Sequence, residues 1–385
     1  MTSLYRSVVF LLSVATIQVQ GGKDDQNQPE LQSESQPKSQ SPTQQAGFVD
    51  FSFSLVPRII RPIRLTQKEL EHHLKQEEKE EAEYSKFIEC ESKYFETEYD
   101  YMPNPRPSKY GDGMQAATIN NDDSKVLLKT IKKEDVYLYR LESTSSLKMH
   151  MVDIDNEGGR ECKLPKSLNL LLPLEVEMQK YLTQSGYYGS PYVLQVIDYA
   201  VKEDAYMLVM EYPGKGWMAL DRYMTKYGKL SVAEVCFIAR EVLKALLSLN
   251  AFGVVHGNVA AKNVLYNEKT GELKLMNFGY SGPLEKWNED SSAKKPSDEK
   301  PDFWSTEKPD LAGVGKLMYH LLTSEDANQY SGIRGRVANQ LERSLGNFKS
   351  QLAMDAVDLV HILLGQGPYE MTLEDALQHP FFSRQ

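Results

Sequence analysis

The chain has 385 residues, 41% of them apolar, and a formal net charge of −10. That length exceeds one ordinary domain and supplies a large core. The acidic balance argues against a nucleic-acid partner and gives no support for a polybasic membrane contact.

Residues 1–21 carry one basic residue, Arg6, then an apolar run from Ser7 to Val19, and Gly21-Gly22 follow. The pattern predicts a signal peptide over 1–21 and a secreted protein. No later run is long and apolar enough to span a bilayer, so no stable membrane insertion is expected. The cysteines are Cys90, Cys162 and Cys236. An odd count leaves at least one thiol unpaired. Cys236 falls in an apolar helical pattern and reads as a small buried hydrophobe, while a Cys90–Cys162 disulfide stays open. The chain has no N-x-S/T sequon.

Residues 22–50 are dominated by Gln, Ser, Pro and Lys and read as a disordered linker. Residues 51–125 form an N-terminal extension. Its first part alternates Phe51, Phe53, Ile59, Ile60 and Ile63 with Arg58, Arg61 and Arg64. Pro57 and Pro62 break an amphipathic helix there, which favours an extended arm packed on the domain over a membrane-surface segment. Thr66 to Tyr99 reads as a charged helix opened by the Thr66/Glu69 capping pair, and 100–124 as a Pro- and Gly-rich loop.

Strand signals follow at Lys125–Ile131, Asp135–Leu141 and Ser146–Asp153, a helix at Asn169–Thr183, then strands at Tyr192–Ala200 and Tyr206–Tyr212. From Leu230 to Asn250 apolar residues recur at helical spacing, from Val232 through Val235, Ala239 and Val242 to Leu246 and Leu249. Further buried helices are expected at Leu311–Thr323 and Gln351–Leu364. A strand-rich part therefore precedes a helical part.

Five motifs fall in order along this stretch. Tyr206-Met-Leu-Val-Met-Glu-Tyr-Pro213 resembles the hinge of a protein kinase, with Met210 as gatekeeper and Glu211 to Pro213 linking two lobes. His256-Gly-Asn-Val-Ala-Ala-Lys-Asn263 resembles the catalytic loop H-R-D-x-x-x-x-N, and Asn277-Phe-Gly279 resembles D-F-G. Asp310-Leu-Ala-Gly-Val-Gly315 is similar to the D-x-W-S-x-G motif whose Asp ties a helix to the catalytic loop. Ala376-Leu-Gln-His-Pro-Phe-Phe382 is similar to the end of many kinase domains. With the signal-like N-terminus, the helical extension and H-G in place of H-R, the chain resembles the secreted rhoptry-kinase family of apicomplexan parasites. That resemblance implies a parasitophorous vacuole or cyst-wall location.

The resemblance implies an α+β, bilobal protein-kinase-like fold, with a strand-rich small lobe over 126–213 and a helical large lobe over 214–385. It also implies degenerate catalytic positions. Asn258 stands where kinases hold the Asp that accepts a hydroxyl proton, and an amide is far too weak a base. Ala260 replaces a Lys that neutralises phosphate. Asn277 replaces the metal-binding Asp, offering one neutral carbonyl to a hard cation.

Aligned on Val136-Tyr-Leu138, the Gly-rich loop positions read Lys129, Ile131 and Glu134, and the lysine of the third strand reads His150 opposite Glu175. The vestigial pocket is then Lys129, His150, Glu175, Met210, Glu211, Tyr212 and Asn263. Kinases also pair the Glu of A-P-E with an Arg. No such Glu is assigned between Pro296 and Lys308, and the Arg position reads Met371. On these grounds the expectation is a catalytically inactive, non-enzymatic pseudokinase that binds protein partners, with no cofactor and no metal. Nucleotide binding without transfer and a divergent active Ser/Thr kinase are the alternatives.

Overall fold

The computed structural model describes residues 60–64, 68, 71–72, 75, 81–102, 108–135, 138–143, 172–183, 189–284, 306–326, 336–345, 350–366 and 371–383. Pro57–Gln385 forms one unit, and every described element belongs to it. The expected signal peptide and linker lie outside the described residues.

Strand β1 (Ile60–Arg64) runs antiparallel to β5 (Leu138–Ser143). Here the proline-broken segment is extended, as its sequence requires. Helix α1 (Glu81–Glu98) follows β1 in the chain. It contains no Gly or Pro, and Phe87, Ile88 and Phe95 are buried along it. Phe95 is fully buried and shares a cluster with Tyr99, Ala117, Val126, Leu128, Met207 and Val209. Two phenols, Tyr94 and Tyr99, donate to Asp198 Oδ2 at 3.3 and 3.1 Å. Burial, then the Asp198 charge, pushes the Tyr99 hydroxyl far above the usual phenol range. The charged helix is therefore docked on the sheet.

The main sheet has five strands, all antiparallel, in the order β2 (Tyr99–Tyr101), β3 (Met114–Ile119), β4 (Lys125–Lys132), β8 (Ala205–Glu211) and β7 (Val196–Val201). Strands β2 and β3 fall in a stretch whose sequence reads as loop. Met114-Gln-Ala-Ala-Thr-Ile119 is weak in β-branched residues, and it becomes a strand because β4 supplies its partner. After the short β6 (Leu172–Pro173) comes α2 (Leu174–Leu182). The helix starts later than its sequence pattern suggests because Pro173, without an N–H, marks its N-terminus. The strand expected at Ser146–Asp153 lies outside the described residues.

Beyond the hinge, β9 (Trp217–Ala219) leads into α3 (Leu220–Tyr227) and α4 (Val232–Ala251). Ser231 and Glu234 form the reciprocal cap of α4, with Ser231 N–H 2.8 Å from Glu234 Oε2. Val235, Cys236, Ala239, Val242, Leu243, Leu246 and Leu249 are fully buried along its stripe. Cys236 is buried, outside any disulfide, and donates to the Phe381 carbonyl at 3.1 Å, whereas Cys90 is disulfide-bonded.

Strands β10 (Val254–Val255), β11 (Val264–Asn267), β12 (Leu273–Leu275) and β13 (Gly282–Pro283) surround the catalytic-loop sequence. Helix α5 (Lys308–Thr323) packs against α4, and α6 (Arg336–Leu345), α7 (Gln351–His361), α8 (Leu373–Leu377) and α9 (Pro380–Ser383) complete the part. The fold is α+β, with a strand-rich part followed by a mainly helical part.

Candidate functional site

The strand β4 places a lysine where the sequence alignment had put a glycine loop. Lys129 pairs across the sheet with Met114 on one side and Leu208 on the other, so it sits mid-sheet. Its ammonium forms an ion pair with Glu175 of α2, the two side chains being 12% and 7% exposed. The same Nζ lies 3.2 Å from Asn277 Oδ1.

Three assignments are thereby corrected. Lys129 is the strand lysine facing Glu175. Ile131 is a buried strand residue. Glu134 lies on an exposed turn, 3.4 Å from Lys132. His150, expected opposite Glu175, lies outside the described residues, and Lys129 takes that role. The alignment was displaced by one hairpin, because Val136-Tyr-Leu138 was the stronger strand signal. Val126-Leu-Leu-Lys129, similar in shape to V-A-I-K, was the signal that would have found it.

The catalytic-loop sequence is held from beneath. Asp310, 1% exposed, accepts the backbone N–H of His256 at 2.9 Å and of Gly257 at 2.7 Å. Asp310 of α5 is therefore the tie that its motif implied. Gly257 has φ +73, and a Cβ there would meet the Tyr280 carbonyl oxygen at 2.3 Å. No side chain fits, which accounts physically for H-G in this loop.

His256 is fully buried, with Nε2 3.0 Å from the Met276 carbonyl and Nδ1 3.2 Å from Asn258 N–H. That pattern requires the neutral ring with its proton on Nε2. Burial lowers the His256 pKa to about 4, and burial raises that of Asp310 to about 6 despite its two amide donors.

These two groups respond to pH in opposite senses. An exposed imidazole charges near 6.5, so falling pH between 6.5 and 4 favours unfolding through His256. An exposed carboxyl ionises near 3.8, so rising pH between 3.8 and 6 favours unfolding through Asp310. The two slopes largely cancel in the native chain. Asp310→Asn leaves the histidine slope alone. Relative to the native chain, the variant should lose roughly 3 kcal/mol more between pH 7 and pH 4. Urea denaturation across that range measures it, and parallel pH profiles would contradict it.

A one-way line of hydrogen bonds leaves Lys129. An ammonium only donates, so Asn277 must turn its oxygen toward Nζ and its amide N–H toward Asn263 Oδ1, at 3.0 Å. Asn263 Nδ2 then donates to the Asn258 carbonyl at 2.8 Å. Asn277 adopts φ +69, a left-handed conformation that Asn tolerates better than most residues.

Both amide oxygens are thus engaged within the chain, and both are neutral. These residues do not fit a magnesium ion, which demands anionic oxygen in a strict octahedron. Among the described residues no cluster of three or more His, Cys, Asp or Glu side chains is placed to hold a metal. Ala260 is extended and offers no charge.

The hinge runs from Met210 through Glu211 and Tyr212 to Pro213. Met210 is buried and receives Gln179 Nε2 on its sulfur at 3.0 Å. Pro213 has no N–H, so it can offer a base only its carbonyl. Facing this hinge is a residue the sequence reading missed. Tyr110 is 2% exposed and donates to the Gly214 carbonyl at 3.2 Å, and its hydroxyl lies 3.0 Å from that of Tyr212. Its burial, then Tyr212, raises its pKa far above the phenol range.

Glu307 was missed as well. It is buried, and accepts Asn250 Nδ2 at 3.1 Å and the Leu373 N–H at 3.0 Å. It occupies the interval where no such Glu was assigned, and it ties α5 to the start of α8 close to Met371.

Curated relatives share part of this chain. Serine/threonine-protein kinase PLK4 of Drosophila persimilis is 28% identical over 206 residues, which are 50% of this chain and 26% of that protein. Aurora kinase of Patiria pectinifera is 23% identical over 218 residues, 53% of this chain and 50% of that protein. The human phosphorylase b kinase gamma catalytic chain, liver/testis isoform, is 28% identical over 213 residues, 51% of each. The matched segment thus spans between a quarter and half of these relatives.

They overturn the expectation that the chain is no enzyme, since they carry the names of kinases. The ion-paired strand lysine, thought replaced by His150, points the same way. The model for "Protein kinase domain" matches residues 174–382, more than half of the chain, and the chain belongs to that family.

Proposed function

We propose that the chain is a divergent protein kinase of the Ser/Thr type, working by position and charge with a nucleoside triphosphate as phosphoryl donor. The observation that carries this reading is the Lys129–Glu175 ion pair with Asn277 beside it. Glu175 holds the ammonium at the junction of β4 and α2, where it can neutralise phosphate oxygens.

The triphosphate lies along Lys129, and its base lies toward Glu211 to Pro213. The acceptor is a Ser or Thr hydroxyl of a protein, placed against the His256–Asn263 loop. The hydroxyl oxygen bonds to the γ-phosphorus, the bond to the bridging oxygen breaks, and the diphosphate leaves. The hydroxyl proton passes to an oxygen of the transferred group. Asn258 orients the hydroxyl through its side-chain Oδ1 but takes no proton. Phosphoryl transfer depends chiefly on alignment and charge stabilisation, so such a site retains function at a reduced rate.

The reduced rate is itself testable. General-base catalysis is worth roughly 10²–10⁴-fold. Asn258→Asp should therefore raise the rate of labelled phosphate incorporation into a mixed protein substrate by roughly 10²-fold or more. Lys129→Met in the same background should abolish it. Equal incorporation by Asn258→Asp with and without Lys129 would contradict the reading.

The place of action we propose is a secretory, oxidising compartment, in the manner of the secreted rhoptry kinases. The Arg6-to-Val19 pattern and the Cys90 disulfide support this, since disulfides persist outside reducing cytosol. No described helix is long and apolar enough to cross a membrane. The partner on this reading is a protein substrate, and no nucleic acid is invoked.

A further inference from the structure

We propose that residues 108–113 are a built-in plug, with the Tyr110 ring holding the place of the nucleotide base until the segment lifts. This rests on the nucleotide site proposed above.

The ring belongs to one buried cluster with Leu127 and Met210 from the strand-rich part and Leu265 and Met276 from the helical part. The cluster thus joins strand-rich and helical parts of the chain around the gatekeeper Met210. An aromatic side chain there presents the flat apolar body of a purine, and its hydroxyl donates to the Gly214 carbonyl, one residue past the hinge. Its ring also meets Tyr212 edge to face, with centroids 6.0 Å apart.

The ordinary alternative is that Tyr110 is a core residue like any other. Its setting argues otherwise. Tyr110 lies in a turn between β2 and β3 and is drawn across to the opposite side by polar contacts on both flanks. The Ala219 N–H donates to the Lys109 carbonyl at 2.8 Å, and Lys109 Nζ donates to the Lys215 carbonyl. Asp112 pairs with Arg222 at 2.6 Å. Between them Gly111, at φ +117, lies beside the catalytic loop, where a Cβ would make an ordinary contact of 3.9 Å with the Lys262 carbonyl oxygen.

The Asp112–Arg222 tie is weak enough to open. The Asp112 side chain is 90% exposed, and such pairs contribute little. The plug is therefore a reversible closure. The chain binds nucleotide only in its open fraction, so apparent affinity falls by that fraction.

Two readouts on the full chain test this. The first is hydrogen exchange at the Ala219 amide, which reports closure without any nucleotide. The second is binding of a fluorescent ATP analogue. Tyr110→Ala should speed Ala219 exchange and tighten analogue binding by roughly ten- to a hundredfold, for an open state of roughly 1–10%. Asp112→Ala, at an exposed side chain, should move both readouts in the same direction by a smaller factor and guards against a misfolded Tyr110 variant.

Faster exchange with unchanged affinity would overturn the plug and leave the nucleotide site standing. Unchanged exchange in both variants would overturn it too. Faster exchange with no analogue binding by any variant would contradict the nucleotide site itself, and the plug with it.

Discussion

Lys129→Met should lower the unfolding free energy by roughly 3–5 kcal/mol, because it strands a charged Glu175 in a site that is only 7% exposed. Adding Glu175→Gln should restore most of that loss, since the second change removes the orphaned charge. Nucleotide binding, by contrast, should be lost in the single variant and stay lost in the double. The two quantities separate a structural ion pair from a phosphate-binding one. Urea denaturation and analogue titration of the three variants check both. A double variant that recovers binding as well as stability would show that Lys129 does not touch phosphate.

The second large effect concerns α1. Phe95 is fully buried against Tyr99, with ring centroids 4.9 Å apart, and against the strands carrying Ala117, Val126 and Met207. Phe95→Ala should cost roughly 3–5 kcal/mol, the usual loss for emptying a buried aromatic site. Tyr101→Ala, at a side chain that is half exposed, should stay within roughly 0.5 kcal/mol. Denaturant midpoints measure both. A Phe95→Ala change under 1 kcal/mol would mean that α1 is a spacer rather than part of the folding unit, by the same scale.

Much of the fold was legible because its signals are local. Helix α4 announces itself through an unbroken apolar stripe from Val232 to Leu249. The loop from His256 to Asn263 and the tie at Asp310 are contiguous motifs, and they sit where their spacing requires.

The small-lobe register was not legible, for a physical reason. Met114–Ile119 has little β-branching and two glycines before it, so its strand character comes from pairing with Lys125–Lys132 and not from its own residues. Without that strand Lys129 reads as a loop residue and His150 as the strand lysine's replacement. Glu307 escaped because its partners are the Asn250 amide and the backbone N–H of Leu373, not the arginine that the motif led one to seek. Tyr110 escaped for a similar reason. It is buried among Leu127, Met210, Leu265 and Met276, and Ala219 and Lys215 hold its neighbour Lys109. Apart from Leu127 these lie far along the chain, and a lone Tyr beside Gly111 carries no local sign of them.

Nucleotide binding at Lys129 is the decisive property. The measurement is equilibrium titration of the full chain with a fluorescent ATP analogue up to roughly millimolar, in EDTA and again with magnesium, beside Lys129→Met. The native chain should bind saturably, and Lys129→Met should lose that binding. Little difference is expected between EDTA and magnesium, since Asn263 and Asn277 spend their oxygens on each other and on Lys129. Binding of equal strength in Lys129→Met, or none by the native chain and by Tyr110→Ala alike, would contradict nucleotide binding at Lys129.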